Sequence, residues 1–182
     1  FQGHSTNGFV ERCSVLGNVI EHSNTPHASE SQIDGDAAVS LFRASNNLVA
    51  GNICRGLYKR AAYSSSGSDT NVFSYNLIDN CVVPAGRHLV NASGNKLIVT
   101  NNVFANCTFA PGSALPVAGL LSVESADNLS RFANNFFVGN TFGAGQVYYI
   151  DFRTGATPRA FTDYNYFDSS NTGGKWYRDG TT

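Results

Sequence analysis

Glu124 and Asp151 are the carboxylates whose surroundings make joint chemistry conceivable. Each ends or interrupts an apolar strand pattern, GLLSVE at 119–124 and VYYIDFRT at 147–154. Alternation in the second segment predicts Ile150 and Phe152 inward, with Asp151 and Arg153 outward. Counting four residues back from the turn asparagines Asn47, Asn95 and Asn128 places Arg43, Asn91 and Glu124 in one outward column, which Asp151 or Arg153 would extend. Strands stacked in one sheet lie about 4.8 Å apart. A carboxylate pair that cleaves a glycosidic bond with retention needs about 5–5.5 Å, and an inverting pair needs more. In this arrangement one carboxyl acts as acid and the other as nucleophile or base, while Arg153 orients or binds an acidic sugar. Arg43 and Asn91 are the expected substrate contacts on the same column. The competing reading is a solvated polar face with ion pairs between strands.

Asp34 and Asp36 form a second candidate, flanking Gly35 with Glu30 close by. Carboxylates at i and i+2 supply hard oxygen ligands for calcium or a hydrolytic pair; alternatively they close an Asx turn. No other cofactor is expected. The basic residues Arg55, Lys59, Arg60, Arg87, His88 and Lys96 could serve a lyase as base or as counter-charge to a uronate, or be solvated charges. His22 and His27 read the same way. Tyr148, Tyr149, Tyr164, Tyr166, Trp176 and Tyr177 crowd the last third of the chain. Exposed aromatic faces stack on sugar rings, so Tyr149 and Trp176 are assigned to substrate binding. Trp176 could equally cap an open sheet edge. Phe104, Phe136 and Phe137 read as core. Cys13, Cys54, Cys81 and Cys107 lack the C-x-x-C spacing of a zinc site, and no metal site is expected.

The elements that hold these residues follow from an internal repeat. SVLGNVIEHSN, LVAGNICRG, VFSYNLIDNC, IVTNNVFANC, RFANNFFVGN and FTDYNYFDSSN align on Asn18, Asn52, Asn76, Asn102, Asn135 and Asn165. A second small polar element precedes most of them: ASNN, SDTN, ASGN and SADN. One unit is therefore strand, turn, strand, Asn turn, strand. Such a unit cannot bury its own inward side chains, whereas parallel stacking makes one continuous core. The fold expected is all-β: a right-handed parallel β-helix of about six coils, filling residues 1–182 as one domain. Asparagine suits the corners because it tolerates left-handed backbone, and stacked on itself it forms an amide ladder. Cys81 and Cys107 each follow a repeat asparagine by five residues, so they should stack as two buried thiols, with a disulfide as the lesser alternative. Variable repeat spacing predicts long loops at His22–Asp36, Leu57–Asp69 and Thr108–Val117.

A net charge of −1 argues against a duplex nucleic-acid binder, and no apolar run reaches the roughly 18 residues of a membrane span. The chain has no methionine and begins at Phe1, so it is expected to be a processed chain or a fragment of a longer β-helix protein. Residues 1–5 read either as a cleavage-site and cloning remnant or as a native strand, and are set aside.

On its Asn-anchored repeat, the segment Ile33-Asp34-Gly35-Asp36 and the following stretch Ser45–Asn52, the chain resembles the pectate-lyase-like β-helix superfamily. That group includes pectate lyases, polygalacturonases, alginate-active enzymes and phage tailspike depolymerases. The resemblance implies a polysaccharide partner, a hydrolase or lyase activity, an extracellular or virion-surface location and, for tailspikes, a homotrimer. The alternative is a non-catalytic shaft or adhesin that binds glycans without turnover. Ala50-Gly51 stands where pectate lyases carry Asp-His, so a calcium-ligand position is lost. The Arg-x-Pro-x-x-Arg, Gly-His-Gly and Arg-Ile-Lys signatures are absent.

Overall fold

The computed structural model describes residues 10–22, 37–58, 60–64, 68–84, 87–93, 96–109, 118–123, 129–143, 147–152, 161–173 and 175–179. They form a right-handed parallel β-helix whose strands, β1–β23 in chain order, build three six-stranded parallel sheets. Sheet 1 stacks β2 (Ser14–Leu16), β6 (Leu48–Ala50), β9 (Asn71–Ser74), β13 (Leu97–Thr100), β17 (Arg131–Ala133) and β21 (Phe161–Asp163). Sheet 2 stacks β3 (Val19–Glu21), β7 (Ile53–Arg55), β10 (Leu77–Asp79), β14 (Val103–Ala105), β18 (Phe136–Val138) and β22 (Tyr166–Phe167). Sheet 3 holds the longer strands β4 (Ala37–Leu41), β8 (Arg60–Ser64), β12 (His88–Ala92), β16 (Ala118–Val123), β20 (Val147–Phe152) and β23 (Lys175–Asp179). Two short ribbons fill corners: β1 (Val10–Glu11) with β5 (Ala44–Ser45), and β11 (Val82–Val83), β15 (Thr108–Phe109) and β19 (Thr141–Phe142).

Period-2 alternation on short strands runs one inward column through each of sheets 1 and 2, and the four-residue β9 and β13 also bury Asn71 and Leu97. In sheet 1 the inward column is Val15, Val49, Phe73, Val99 and Phe132, and its last four members are fully buried. In sheet 2 it is Ile20, Cys54, Ile78, Phe104, Phe137 and Phe167. Identical positions fall one strand spacing apart, so like rings stack: Phe104 on Phe137 at 5.1 Å, Phe137 on Phe167 at 4.7 Å and Phe109 on Phe142 at 4.8 Å. That matches the strand spacing of about 4.8 Å and the favoured range for aromatic pairs. Phe136, expected in the core, lies instead on the outer face of sheet 2 at 38% exposure, because its neighbour Phe137 takes the inward parity.

The corner between sheets 1 and 2 carries the repeat asparagines as one ladder. Each donates its backbone N–H and its Nδ2 to the Oδ1 of the next, at 2.9–3.1 Å, from Asn18 through Asn52, Asn76, Asn102 and Asn135 to Asn165. From Asn52 onward Nδ2 also donates to a carbonyl of the preceding coil, as from Asn76 to Val49 at 3.0 Å. A shorter ladder, Asn47 on Asn71, holds the entry to sheet 1.

The expected loop Leu57–Asp69 is not one. It contains β8, which pairs with β4 and β12; its small residues Ala61 and Ala62 are fully buried, a strand signature that the polar surroundings obscured. Arg60 begins that strand and His88 begins β12. At 9% and 1% exposure neither is the solvated charge expected of it.

Asn76 is buried, and its amide group makes bonds on both sides of the ladder. Asn76→Ala should therefore lower unfolding free energy by about 3 kcal/mol, read as a fall in urea midpoint. Asn18→Ala, at the exposed end of the ladder, should cost about 1 kcal/mol or less. Equal effects at the two positions would contradict the ladder's role.

Candidate functional site

Immediately before each ladder asparagine the chain must swing outward in left-handed backbone. Gly17, Gly51, Tyr75, Asn101, Asn134 and Tyr164 occupy this position, with φ between 51° and 66°. Glycine accepts such a φ freely, and asparagine tolerates it. Tyrosine has neither advantage, yet Tyr75 and Tyr164 are 69% and 77% exposed. Bulky residues in strained backbone that bury nothing point toward function rather than folding.

These corner residues border the outer face of sheet 1. Next to them runs the outward column Leu16, Ala50, Ser74, Thr100, Ala133 and Asp163, small in the middle. The opposite border is the column Ser14, Leu48, Val72, Ile98 and Arg131. Where that border meets the incoming chain, Lys96, Ile98, Leu129 and Arg131 line a solvent-open pocket of about 410 Å³. Arg131 and Leu129 are exposed, and Ile98 is half-buried beneath them. The outer face of sheet 1 thus carries Lys96 and Arg131 beside an apolar patch at one border and two exposed tyrosines at the other. Tyr75 and Tyr164 are three strand spacings apart, about 14 Å, the scale of several sugar residues. At the far end Asp163 accepts the Tyr164 N–H at 2.9 Å, closing the last corner.

Two ion pairs lie on the neighbouring sheet. On sheet 2 the Arg55 guanidinium bridges Glu21 at 3.1 Å and Asp79 at 3.5 Å, and Asp79 also accepts from Asn106 at 2.9 Å. The Asp168 carboxyl is held below its ordinary range by the Ser170 hydroxyl and by the N–H of the same residue, and it organises a turn.

Of the predicted residues, Asn91 and Asp151 fall on one register column of sheet 3, through Ser122. Glu124, Asp34, Asp36 and Arg153 lie outside the described residues. Asp151 falls in β20, in register with Ser122, two positions short of Glu124. Asn91 shares that register column through Ser122, but it is buried at 2% exposure. Arg43 stands apart, at the bend before β5 with φ 48°, its guanidinium carbon 5.9 Å from the Phe42 ring centre. Asn47 stacks on Asn71, so Asn71 is its neighbour in the stack. The true register runs Asn71, Leu97, Ser130, so counting from Asn95 and Asn128 is two residues out.

Tyr149 is not a sugar platform. It is 4% exposed and packs on Phe142 at 4.4 Å, Phe167 at 4.8 Å and Phe137 at 6.0 Å, so the inward parity in β20 belongs to it. Burial pushes its phenol up to about 12. Trp176 falls in β23, its side chain outside those described. Tyr164 and Tyr166 are exposed. Tyr75 and Arg131 were missed. The available signal was that Tyr75, like Tyr164, directly precedes a repeat asparagine, where the other four repeats carry glycine or asparagine. No protein family, curated protein or solved structure matches the chain, so this face is read from its own geometry.

Tyr75→Gly should change unfolding free energy by less than about 1 kcal/mol, since relief of strain offsets the added freedom of the unfolded chain. A loss of several kcal/mol in chemical denaturation would assign the ring a packing role and remove it from the candidate surface.

Proposed function

We propose that this β-helix binds an acidic polysaccharide, outside the cell or on a virion surface, with the sugar chain laid along the outer face of sheet 1. The observation that carries this reading is the pair of exposed tyrosines held in left-handed backbone at one border of sheet 1, whose opposite border carries Lys96 and Arg131. Phenol rings stack on the apolar faces of sugars, while a guanidinium and an ammonium complement uronate carboxylates. Repetition along the axis suits a polymer, because successive strands present equivalent positions at a fixed spacing. Cleavage draws no support from this face: among the described residues, Asp163 is the one carboxylate on its three columns.

Titration calorimetry with polygalacturonate, alginate and neutral dextran tests this. Binding should be confined to the two polyuronates and should weaken as salt is raised. Arg131→Ala with Lys96→Ala, and separately Tyr75→Gly, should each weaken binding about ten-fold, or about 1.4 kcal/mol. Equal binding of dextran, or no polyuronate binding, would overturn the proposal.

One observation favours a second reading, the shaft. One of the two outer columns of sheet 2 is aliphatic or aromatic throughout, Val19, Ile53, Leu77, Val103, Phe136 and Tyr166, while the other carries Glu21, Arg55 and Asp79. Phe136 and Tyr166 stack at 4.7 Å while remaining 38% and 53% exposed. An unbroken apolar ridge is a surface on which parallel copies could pack into a trimer. Light scattering should then show a trimer that Phe136→Lys dissociates, whereas a monomeric parent chain would dismiss the shaft.

A further inference from the structure

The corner between sheet 2 and the β11–β15–β19 ribbon stacks Leu57, Cys81, Cys107 and Asn140, each placed by the paired residue that follows it. Its C-terminal half is an amide ladder like the others: Asn140 Oδ1 accepts the Cys107 N–H at 3.0 Å, and the Asn140 N–H and Nδ2 donate to Asn171 at 3.0 and 2.9 Å. Its N-terminal half replaces amides with two thiols. We propose that Cys81 and Cys107 are the site of an inter-coil disulfide, formed as the chain folds under oxidising conditions.

The geometry supports bond formation without backbone rearrangement. Val82 and Thr108 are in register and the Thr108 N–H donates to the Cys81 carbonyl at 2.8 Å, so the two cysteines occupy equivalent positions on adjacent parallel strands. Their Cα atoms are then about 4.8 Å apart, inside the roughly 4.4–6.8 Å that a disulfide spans. The neighbouring Cys107 thiol holds Cys81 below the ordinary thiol range, while burial pushes Cys107 up. Both are free thiols here, buried at 1% and 0% exposure. Sulfur cannot extend an amide ladder, so without the bond the corner relies at this point on weak thiol contacts to the Asp79 and Ala105 carbonyls. Cys54 is inward on sheet 2, paired in register with Ile78, and Cys13 lies at another corner, against Asn47.

Burial closes the folded pair to oxidants, so exchange occurs before these coils close. With a small-molecule disulfide such as oxidised glutathione, one cysteine thiolate attacks a glutathione sulfur and releases one glutathione thiolate. The second cysteine then attacks the resulting mixed disulfide and releases the other. Two protein thiols become one cystine, and one glutathione disulfide becomes two glutathiones.

The test is to refold the full chain from urea in a glutathione redox buffer, quench with acid, unfold it again in urea with iodoacetamide to alkylate every free thiol, digest with trypsin and map the products. Each cysteine lies in its own tryptic peptide, Cys81 in 61–87 and Cys107 in 97–131. The expected result is a cross-linked pair of these two peptides with Cys13 and Cys54 alkylated. The unfolding temperature of the oxidised chain should also lie about 5–10 °C above that of the reduced one. Cys107→Ala should lose the cross-link and that difference. Four alkylated cysteines, or a cross-link to Cys54 or Cys13, would overturn the proposal, and the mapping of the parent chain decides this even if the variant does not fold.

Discussion

The asparagine ladder is the constraint on which the rest of this structure depends. A parallel β-helix has no local pairing within a coil; every strand finds its partners a full coil away. A slip of one residue would exchange inner and outer faces along a strand. The ladder removes that freedom, because each amide is both donor to one neighbour and acceptor from the other, and its Nδ2 reaches back to the preceding coil as well. Slippage would leave several buried polar groups unpaired at once, each costing about 1–3 kcal/mol. The stacked rings of Phe104, Phe137 and Phe167 depend on the same register.

The outer border of sheet 1 is a consequence of the ladder. Turning each asparagine inward forces the residue before it into left-handed backbone and onto the surface, so the fold produces a row of outward side chains at strand spacing. Glycine or asparagine at that row meets the needs of folding alone. Tyrosine at positions 75 and 164 goes beyond those needs, at a backbone cost. The middle of that face is lined by small residues at 74, 100 and 133, and its far border becomes cationic where Arg131 succeeds Ile98 in the column.

The architecture was legible in the sequence because it is written at a single repeated position. Six asparagines, each followed by a strand, located sheets 1 and 2, and the stacked pair Cys81–Cys107 could be read from the same spacing. Sheet 3 was harder. Its strands are bounded by segments of varying length, so counting from Asn95 and Asn128 missed the true register of sheet 1 by two residues, although Asn91 and Asp151 do share a column of sheet 3 through Ser122. Parity misled at Tyr149, where IDF looked like the apolar face but the tyrosine ring meets the core phenylalanines. Tyr75 escaped notice because a tyrosine between a strand and an asparagine resembles a strand end until φ is known.

The most direct test of this account is chemical-shift mapping of the isotope-labelled chain with a short uronate oligosaccharide. Perturbed amides should trace the outer face of sheet 1, centred on Tyr75, Ile98, Asn101 and Arg131, with sheet 3 unaffected. Perturbations clustered on β16 and β20, or none at saturating oligosaccharide, would contradict the outer face of sheet 1 as the functional surface.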